Sequence, residues 1–278
     1  IYRVEETAPV DAWVRVFTAS TTLLAWTDTP ESFTWKSTEN DPVYFAVRQY
    51  SGFGGSFVAK AVDLGLDDFG DSPASATLVA MGSTTTGSFQ FPNDWEFVSA
   101  PVVAGHVYRF VESSPSDVWV RLEDETGTVV TMQDTPESVL WKADGPGTAR
   151  FGIGPYAGFD RAWQIELADL GPDDHADDRT GATPLAVGTA ANGDLQFPGD
   201  PDYFKFTVTA SNTYAFQCLT TGLATKVSVF SSGSTTALAS GSGSAGVTFT
   251  VPGPGDYYLL VRAYNSGQTG TYTVLVRN

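Results

Sequence analysis

Apolar and polar positions alternate in short runs along most of the chain. Val118, Val120 and Leu122 interleave with Asp117, Trp119 and Arg121. A period of two turns one face of an extended segment inward and leaves the other outside, so this run predicts a strand. Similar alternation returns at 43–47, 227–230 and 272–276. Between the runs lie turn clusters, among them Asp134-Thr-Pro-Glu-Ser138, Ser231-Ser-Gly-Ser234 and Pro252-Gly-Pro-Gly-Asp256, at the spacing that antiparallel sandwiches use. No run of apolar residues has helical spacing. The pattern predicts an all-β fold of tandem antiparallel, jelly-roll-like β-sandwich domains.

The pattern also repeats. A shift of 106 positions lays residues 1–66 on 107–172 without a gap, and 23 of the 66 pairs are identical. Asp11-Ala-Trp13-Val-Arg15 meets Asp117-Val-Trp119-Val-Arg121, Asp28-Thr-Pro-Glu-Ser32 meets Asp134-Thr-Pro-Glu-Ser138, and Trp35-Lys36 meets Trp141-Lys142. The same shift carries Asp67-Asp68 onto Asp173-Asp174 and Gln90-Phe-Pro92 onto Gln196-Phe-Pro198. A period this long is a whole domain and not a solenoid unit of roughly 20 to 50 residues. Three units follow: 67–172 and 173–278 as complete sandwiches, and 1–66 as an incomplete one lacking its opening strands. Without a start methionine or a basic-then-apolar leader, the chain is expected to be a processed, partial or trimmed product.

Composition narrows the setting. With 32 acidic against 15 basic residues, the formal charge is −17. Such a surface repels nucleic acid and anionic membrane, so neither is an expected partner. No apolar stretch reaches the 18 or so residues of a membrane span. The lone cysteine, Cys218, lies in an apolar run and reads as a buried small hydrophobe. An acidic chain rich in Gly, Ser and Thr suits a secreted bacterial product.

The segments Asp173-Asp-His-Ala-Asp-Asp178, Ala182-Thr183, Gly188, Gly193, Asp200-Pro-Asp-Tyr-Phe-Lys-Phe206, Gly255-Asp-Tyr-Tyr-Leu-Leu-Val261 and Gly270-Thr-Tyr-Thr-Val274 together resemble the bacterial pre-peptidase C-terminal domain. The collagen-binding domains of clostridial collagenases are related to it. The resemblance extends to 67–172, where the Asp-x-Asp pair becomes Asp94-Trp-Glu96, and reaches 1–66 only through the second copy. It implies noncatalytic modules, often appended to secreted proteases, several of which bind calcium, collagen or polysaccharide.

Calcium takes six to eight oxygen ligands, often several carboxylates gathered from flexible loops. Asp173, Asp174 and Asp177 lie in a linker, and Asp200 and Asp202 in a later alternating segment. Asp67, Asp68, Asp71, Asp94 and Glu96 occupy matching places one repeat earlier. Converging acidic clusters repel one another unless a cation lies between them. In the related calcium-binding domains, linker acids and the later acidic pair hold the ion, so the resemblance assigns these ten residues as metal ligands. The alternative for an acidic linker is a solvated spacer. Asp178 is left open as a further ligand, and His175 is a bystander because hard cations avoid imidazole.

Trp13 and Trp119 fall on outward faces beside Arg15 and Arg121, an arrangement suited to sugar rings, a partner protein or a neighbouring domain. The alternative is ordinary packing of the four side chains. Trp35 and Trp141 are expected in the core. Neither histidine recurs in the matching place one repeat away, where Asn212 and Phe69 stand, and no nucleophile elbow, zinc signature or phosphate loop appears, so no catalytic residues and no enzymatic activity are expected. The expected protein is a secreted or cell-surface, noncatalytic, calcium-stabilised array. It would bind matrix protein or polysaccharide, or, as an alternative, join further copies of itself by strand exchange into a filament. A third reading is the accessory region of a secreted hydrolase.

Overall fold

A computed structural model describes residues 1–7, 12–28, 32–51, 54–115, 117–134, 138–159 and 161–278. The turn clusters at 28–32 and 134–138 fall partly outside these residues.

The protein is all-β, a tandem of antiparallel β-sandwiches in which no α-helix occurs among the described residues. Residues 1–66 contain β1 (Tyr2–Thr7), β2 (Ala12–Phe17), β3 (Leu23–Thr27), β4 (Ser32–Trp35), β5 (Tyr44–Gln49) and β6 (Val58–Asp63). Residues 67–172 contain a 3-10 turn at Pro73–Ser75 and β7 (Thr77–Leu78), β8 (Thr84–Phe89), β9 (Glu96–Val102), β10 (His106–Glu112), β11 (Val118–Glu123), β12 (Val129–Asp134), β13 (Ser138–Lys142), β14 (Gly147–Pro155) and β15 (Arg161–Pro172). Residues 173–278 contain β16 (Thr183–Pro184), β17 (Ala190–Leu195), β18 (Pro201–Val208), β19 (Thr213–Thr220), β20 (Thr225–Ser231), β21 (Ala239–Ser242), β22 (Val247–Thr250), β23 (Gly255–Ala263) and β24 (Gly270–Arg277).

Each sheet draws its strands from a single repeat. The first gives β4-β1-β6 and β3-β2-β5, the second β13-β10-β15-β8 and β12-β11-β14-β9-β7, the third β17-β24-β19-β22 and β16-β18-β23-β20-β21. The described strand pairs are antiparallel except for the two-residue ladders β7–β9 and β16–β18. Tertiary contacts group the chain into two compact units. One comprises Ile1–Pro101, Val111–Glu137 and Gly147–Leu167, the other Val102–Phe110, Ser138–Pro146 and Ala168–Asn278.

The alternation does what pleating requires. Along β2 the pattern buries Ala12, Val14 and Val16 while Trp13, Arg15 and Phe17 stay partly exposed. Along β18 it buries Asp202, Phe204, Phe206 and Val208. The third repeat's core joins Phe204, Phe206, Phe216, Cys218, Val227, Leu259 and Val274, each burial contributing roughly 1.5–3 kcal/mol for the large apolar side chains. Cys218 is buried, as a small hydrophobe would be. Trp35 and Trp141 are likewise buried.

The first repeat is thinner. Among the described residues its core cluster holds Val4, Val14, Val16 and Trp35 with partly buried neighbours. β14 pairs with β11 and lies beside β9, whereas its equivalent β5 pairs, among the described residues, with β2 alone. Phe151 is fully buried while Phe45, 106 residues earlier, is 38% exposed, and Trp163 is 1% exposed while Phe57 is 56% exposed. The free edges of β5 and β6 thus leave apolar side chains uncovered.

Candidate metal centre

Two acidic clusters stand at the entries to the second and third repeats. The first lies wholly within the first compact unit and the second wholly within the other. In the first, one carboxylate oxygen each from Asp67, Asp71, Asp94 and Glu96 lie within 4.8 Å of one another. In the second, Asp173, Asp177 and Asp200 form one such group, and Asp173, Asp174 and Asp202 form another.

Local chain geometry explains the convergence. After the Gln-Phe-Pro segment the backbone turns back, so that Gln90 N donates to Asp94 Oδ2 at 2.6 Å, and Gln196 N to Asp200 Oδ2 at 2.6 Å. Two residues further on, Glu96 opens β9 and Asp202 lies at the second position of β18, on the inward face of each strand. From the linkers, Asp68 accepts Ser88 N at 3.0 Å and Asp174 accepts Asp194 N at 2.8 Å, which ties each linker to the following strand. A glycine makes room in both places. A Cβ on Gly87 would strike the Trp163 and Phe69 rings, and one on Gly193 the Tyr272 ring.

A lysine from the preceding repeat enters each cluster. Lys36 Nζ donates to Asp67 Oδ2 at 2.5 Å and to Asp71 Oδ2 at 2.6 Å, and Lys142 Nζ donates to Asp173 Oδ2 at 2.9 Å and to Asp177. The same ammonium groups sit 5.8 Å from the Phe91 ring and 5.2 Å from the Phe197 ring. Burial works against charge on both lysines, yet the hydrogen bonds to the paired aspartates outweigh it and raise their pKa values. A recurring Trp-Lys pair in the sequence was the signal for these residues, and alternation alone did not assign them a role.

The lysines leave part of the negative charge uncompensated. Asp94, Glu96 and Asp202 are fully buried and Asp200 nearly so. Both oxygens of Glu96, and one oxygen each of Asp67, Asp94, Asp173, Asp177, Asp200 and Asp202, are buried without a hydrogen-bond donor. Burial, reinforced by neighbouring carboxylates, pushes Asp94 up to about 7 and Glu96 to about 10. For the same reasons Asp200 rises to about 7 and Asp202 to about 8. Buried carboxylates lacking donors are costly unless protonated or paired with a cation, so this donor set of oxygens can hold a hard metal ion.

The two clusters differ. Tyr272 Oη donates to Asp202 Oδ2 at 2.6 Å, whereas Glu96 accepts no donor. Where the second cluster has His175, the first has Phe69. His175 uses both ring nitrogens elsewhere, Nδ1 at 2.8 Å from Thr183 Oγ1 and Nε2 at 3.0 Å from the Asn192 carbonyl. Asp178 is exposed, accepts Thr180 N and Gly181 N, and lies outside both clusters. Asp68 is not among the four converging oxygens, although it lies close enough to Glu96 to raise its pKa.

The tryptophan–arginine pairs diverge between repeats. Arg121 is held by Glu123 at 2.5 Å and 2.9 Å, and Trp119 stacks on Tyr156 with centroids 6.1 Å apart. In the first repeat Phe17 replaces Glu123, and Arg15 instead lies 4.8 Å over the Trp13 ring.

No protein-family model matches the chain, and no curated protein matches it. Among solved structures, the CUB1-EGF-CUB2 domains of rat MASP-1 are similar at 11% identity and a TM-score of 0.23, covering 73% of this chain and 100% of that one. The CUB1-EGF-CUB2 domain of human MASP-1/3 is similar at 9% identity and a TM-score of 0.22, covering 69% and 99%. Likeness at this level assigns no function. No helix among the described residues is long and apolar enough to cross a membrane.

Proposed function

We propose that this chain is a noncatalytic extracellular array of β-sandwiches, fixed at its two linkers by calcium and serving adhesion to matrix or polysaccharide. One observation carries the metal reading: buried carboxylate oxygens without donors recur at the same register in both later repeats, on Asp94 and Glu96 and on Asp200 and Asp202. Oxygen-only donors and several carboxylates per cluster favour calcium over transition metals. Asp67, Asp71, Asp94 and Glu96 would hold one ion, with Asp68 bracing the linker behind them. Asp173, Asp174, Asp177, Asp200 and Asp202 would supply the other. When bound, calcium supplies charge compensation that the lysines provide only in part, and it couples each linker to its following strand. The resemblance to pre-peptidase C-terminal domains supports the same reading.

Calorimetric titration of calcium into chelator-treated protein tests it. Binding at two sites, with a melting temperature that rises with calcium concentration, is expected because a ligand specific to the folded state stabilises by mass action. Absence of binding heat and of any thermal shift would sink the metal reading.

A second reading rests on the uncovered edges of β5 and β6 and the exposed Phe45 and Phe57. Added strands in the places that β8 and β9 take in the second repeat would complete this sandwich. Strands from a second copy would make the protein a filament subunit. Electron microscopy in calcium and after chelation separates the two: regular filaments support strand exchange, isolated particles the adhesion module.

A further inference from the structure

The outer face of the β3-β2-β5 sheet carries a row of three aromatic rings. Trp13 lies in the middle, its centroid 5.8 Å from that of Trp26 and 5.7 Å from that of Tyr50, and each outer ring is inclined 30° to it. The outer rings are open to solvent, Trp26 at 56% and Tyr50 at 58% exposure. Pairing of the strands sets arginines among them: Arg15 is opposite Trp26, and Arg48 is opposite Trp13. Arg15 covers part of the Trp13 face, and Arg48, Gln49 and Tyr50 surround a small hollow beside Trp13. Neither arginine has a carboxylate partner among the described residues.

The matched face of the second repeat carries a different set. Met132 stands where Trp26 stands, Gly154 where Arg48 stands, and Glu123 ties down Arg121. Trp119 still stacks on Tyr156, and Trp95 lies directly against Gly154, leaving no room there for a side chain such as that of Arg48. Relative to the second repeat, Trp26 thus extends the aromatic row, Arg48 adds a donor beside it, and Phe17 in place of Glu123 leaves Arg15 to the Trp13 ring.

From this arrangement we propose that Trp26, Trp13 and Tyr50 form a binding platform for a neutral polysaccharide, with Arg15 and Arg48 as hydrogen-bond donors to its hydroxyls. This deepens the adhesion reading above by naming the ligand class. Three rings in a shallow row present successive faces to the C–H-rich faces of successive pyranose units. Exposed Trp and Tyr offer large contact area at little conformational cost. An open row, in place of an enclosed pocket, admits an interior stretch of a long chain. The net charge of −17 disfavours polyanionic chains, which leaves neutral ones.

The test is affinity electrophoresis of the full chain in native gels cast with hydroxyethyl cellulose, arabinoxylan or galactomannan, alongside polygalacturonate. Retardation in at least one neutral gel is expected, weakened tenfold or more in the Trp26→Ala/Tyr50→Ala double variant and severalfold in Arg48→Gln. Because Trp26 and Tyr50 are exposed, the double variant should keep its melting temperature. Retardation unchanged in that variant, retardation by polygalacturonate alone, or none in any gel would overturn the assignment. Co-sedimentation with collagen fibrils is run in parallel. Binding to fibrils without glycan binding overturns the platform and leaves adhesion standing, and binding to neither overturns both.

Discussion

Lys36 Nζ lies 2.5 Å from Asp67 Oδ2, and Lys142 makes the matching bond to Asp173 one repeat later at 2.9 Å. In each case a side chain from one repeat, 31 residues upstream, reaches the first acid of the next. The ammonium compensates the outer linker acids, whereas the buried pair behind them, Asp94 with Glu96 or Asp200 with Asp202, gains no such partner. The clusters are thus half-neutralised by the chain itself, and a divalent ion would have to share or displace the lysine.

Lys142→Met should separate these roles. Lys142 and Asp173 are both largely buried, so removal of the ammonium leaves uncompensated charge at a cost of about 3–5 kcal/mol. In chelator the melting temperature should fall clearly, and in millimolar calcium the loss should shrink. Calcium affinity should rise severalfold, since the ion no longer competes with an ammonium. Unchanged affinity by calorimetry would show that Lys142 does not occupy the metal's place. Lys36, more exposed than Lys142, should give the same pattern with a smaller loss.

Glu96→Gln should separate binding from stability. Burial and neighbouring carboxylates raise Glu96 to about 10, so at pH 7 the metal-free side chain is already a neutral acid that can donate, as the amide would. Stability in chelator should therefore change by less than about 1 kcal/mol. Calcium affinity at the first cluster should fall about tenfold, roughly 1.4 kcal/mol. Denaturant melts with and without calcium check both, and a large change of stability in chelator would contradict a neutral Glu96.

The pH dependence has a defined sign. Asp94 and Asp200 titrate near 7 and Asp202 near 8 in the folded protein, against 3.8 for an unperturbed aspartate. The unfolded state therefore releases protons first, and metal-free stability should fall as pH rises from about 4 through 8. Calcium replaces those protons, so its affinity should increase over the same range. Thermal melts at pH 5 and 8 in chelator provide the check: equal values would contradict the raised pKa values of these buried acids.

Truncating matched phenylalanines should report how far each repeat is closed. Phe151→Ala removes a fully buried ring and should cost about 3–5 kcal/mol. Phe45→Ala, at a ring already 38% exposed, should cost about 1 kcal/mol or less. Similar losses in denaturant melts would mean that Phe45 is covered in solution.

Much of this protein is legible in one dimension. Alternation along β2, β11 and β18 predicts strands because pleating presents every second residue to the same face, a purely local constraint. Self-similarity at 106 residues marks the linker acids because equivalent loops carry equivalent residues. The turn at Gln90 and Gln196, which folds Asp94 and Asp200 back, is local too. Partnership across the fold is not. That Lys36 and Lys142 enter the acidic clusters depends on a distance of 31 residues in sequence collapsing to hydrogen-bond length. Identical Trp-x-Arg motifs have different fates because Arg121 meets Glu123 on its own strand, whereas Arg15 meets only Phe17 and turns to Trp13. The row from Trp26 through Trp13 to Tyr50 exists only once β3, β2 and β5 pair in register. Periodicity decides which face a residue occupies, while the neighbours on that face are set by cross-strand pairing and packing, which only the tertiary structure supplies.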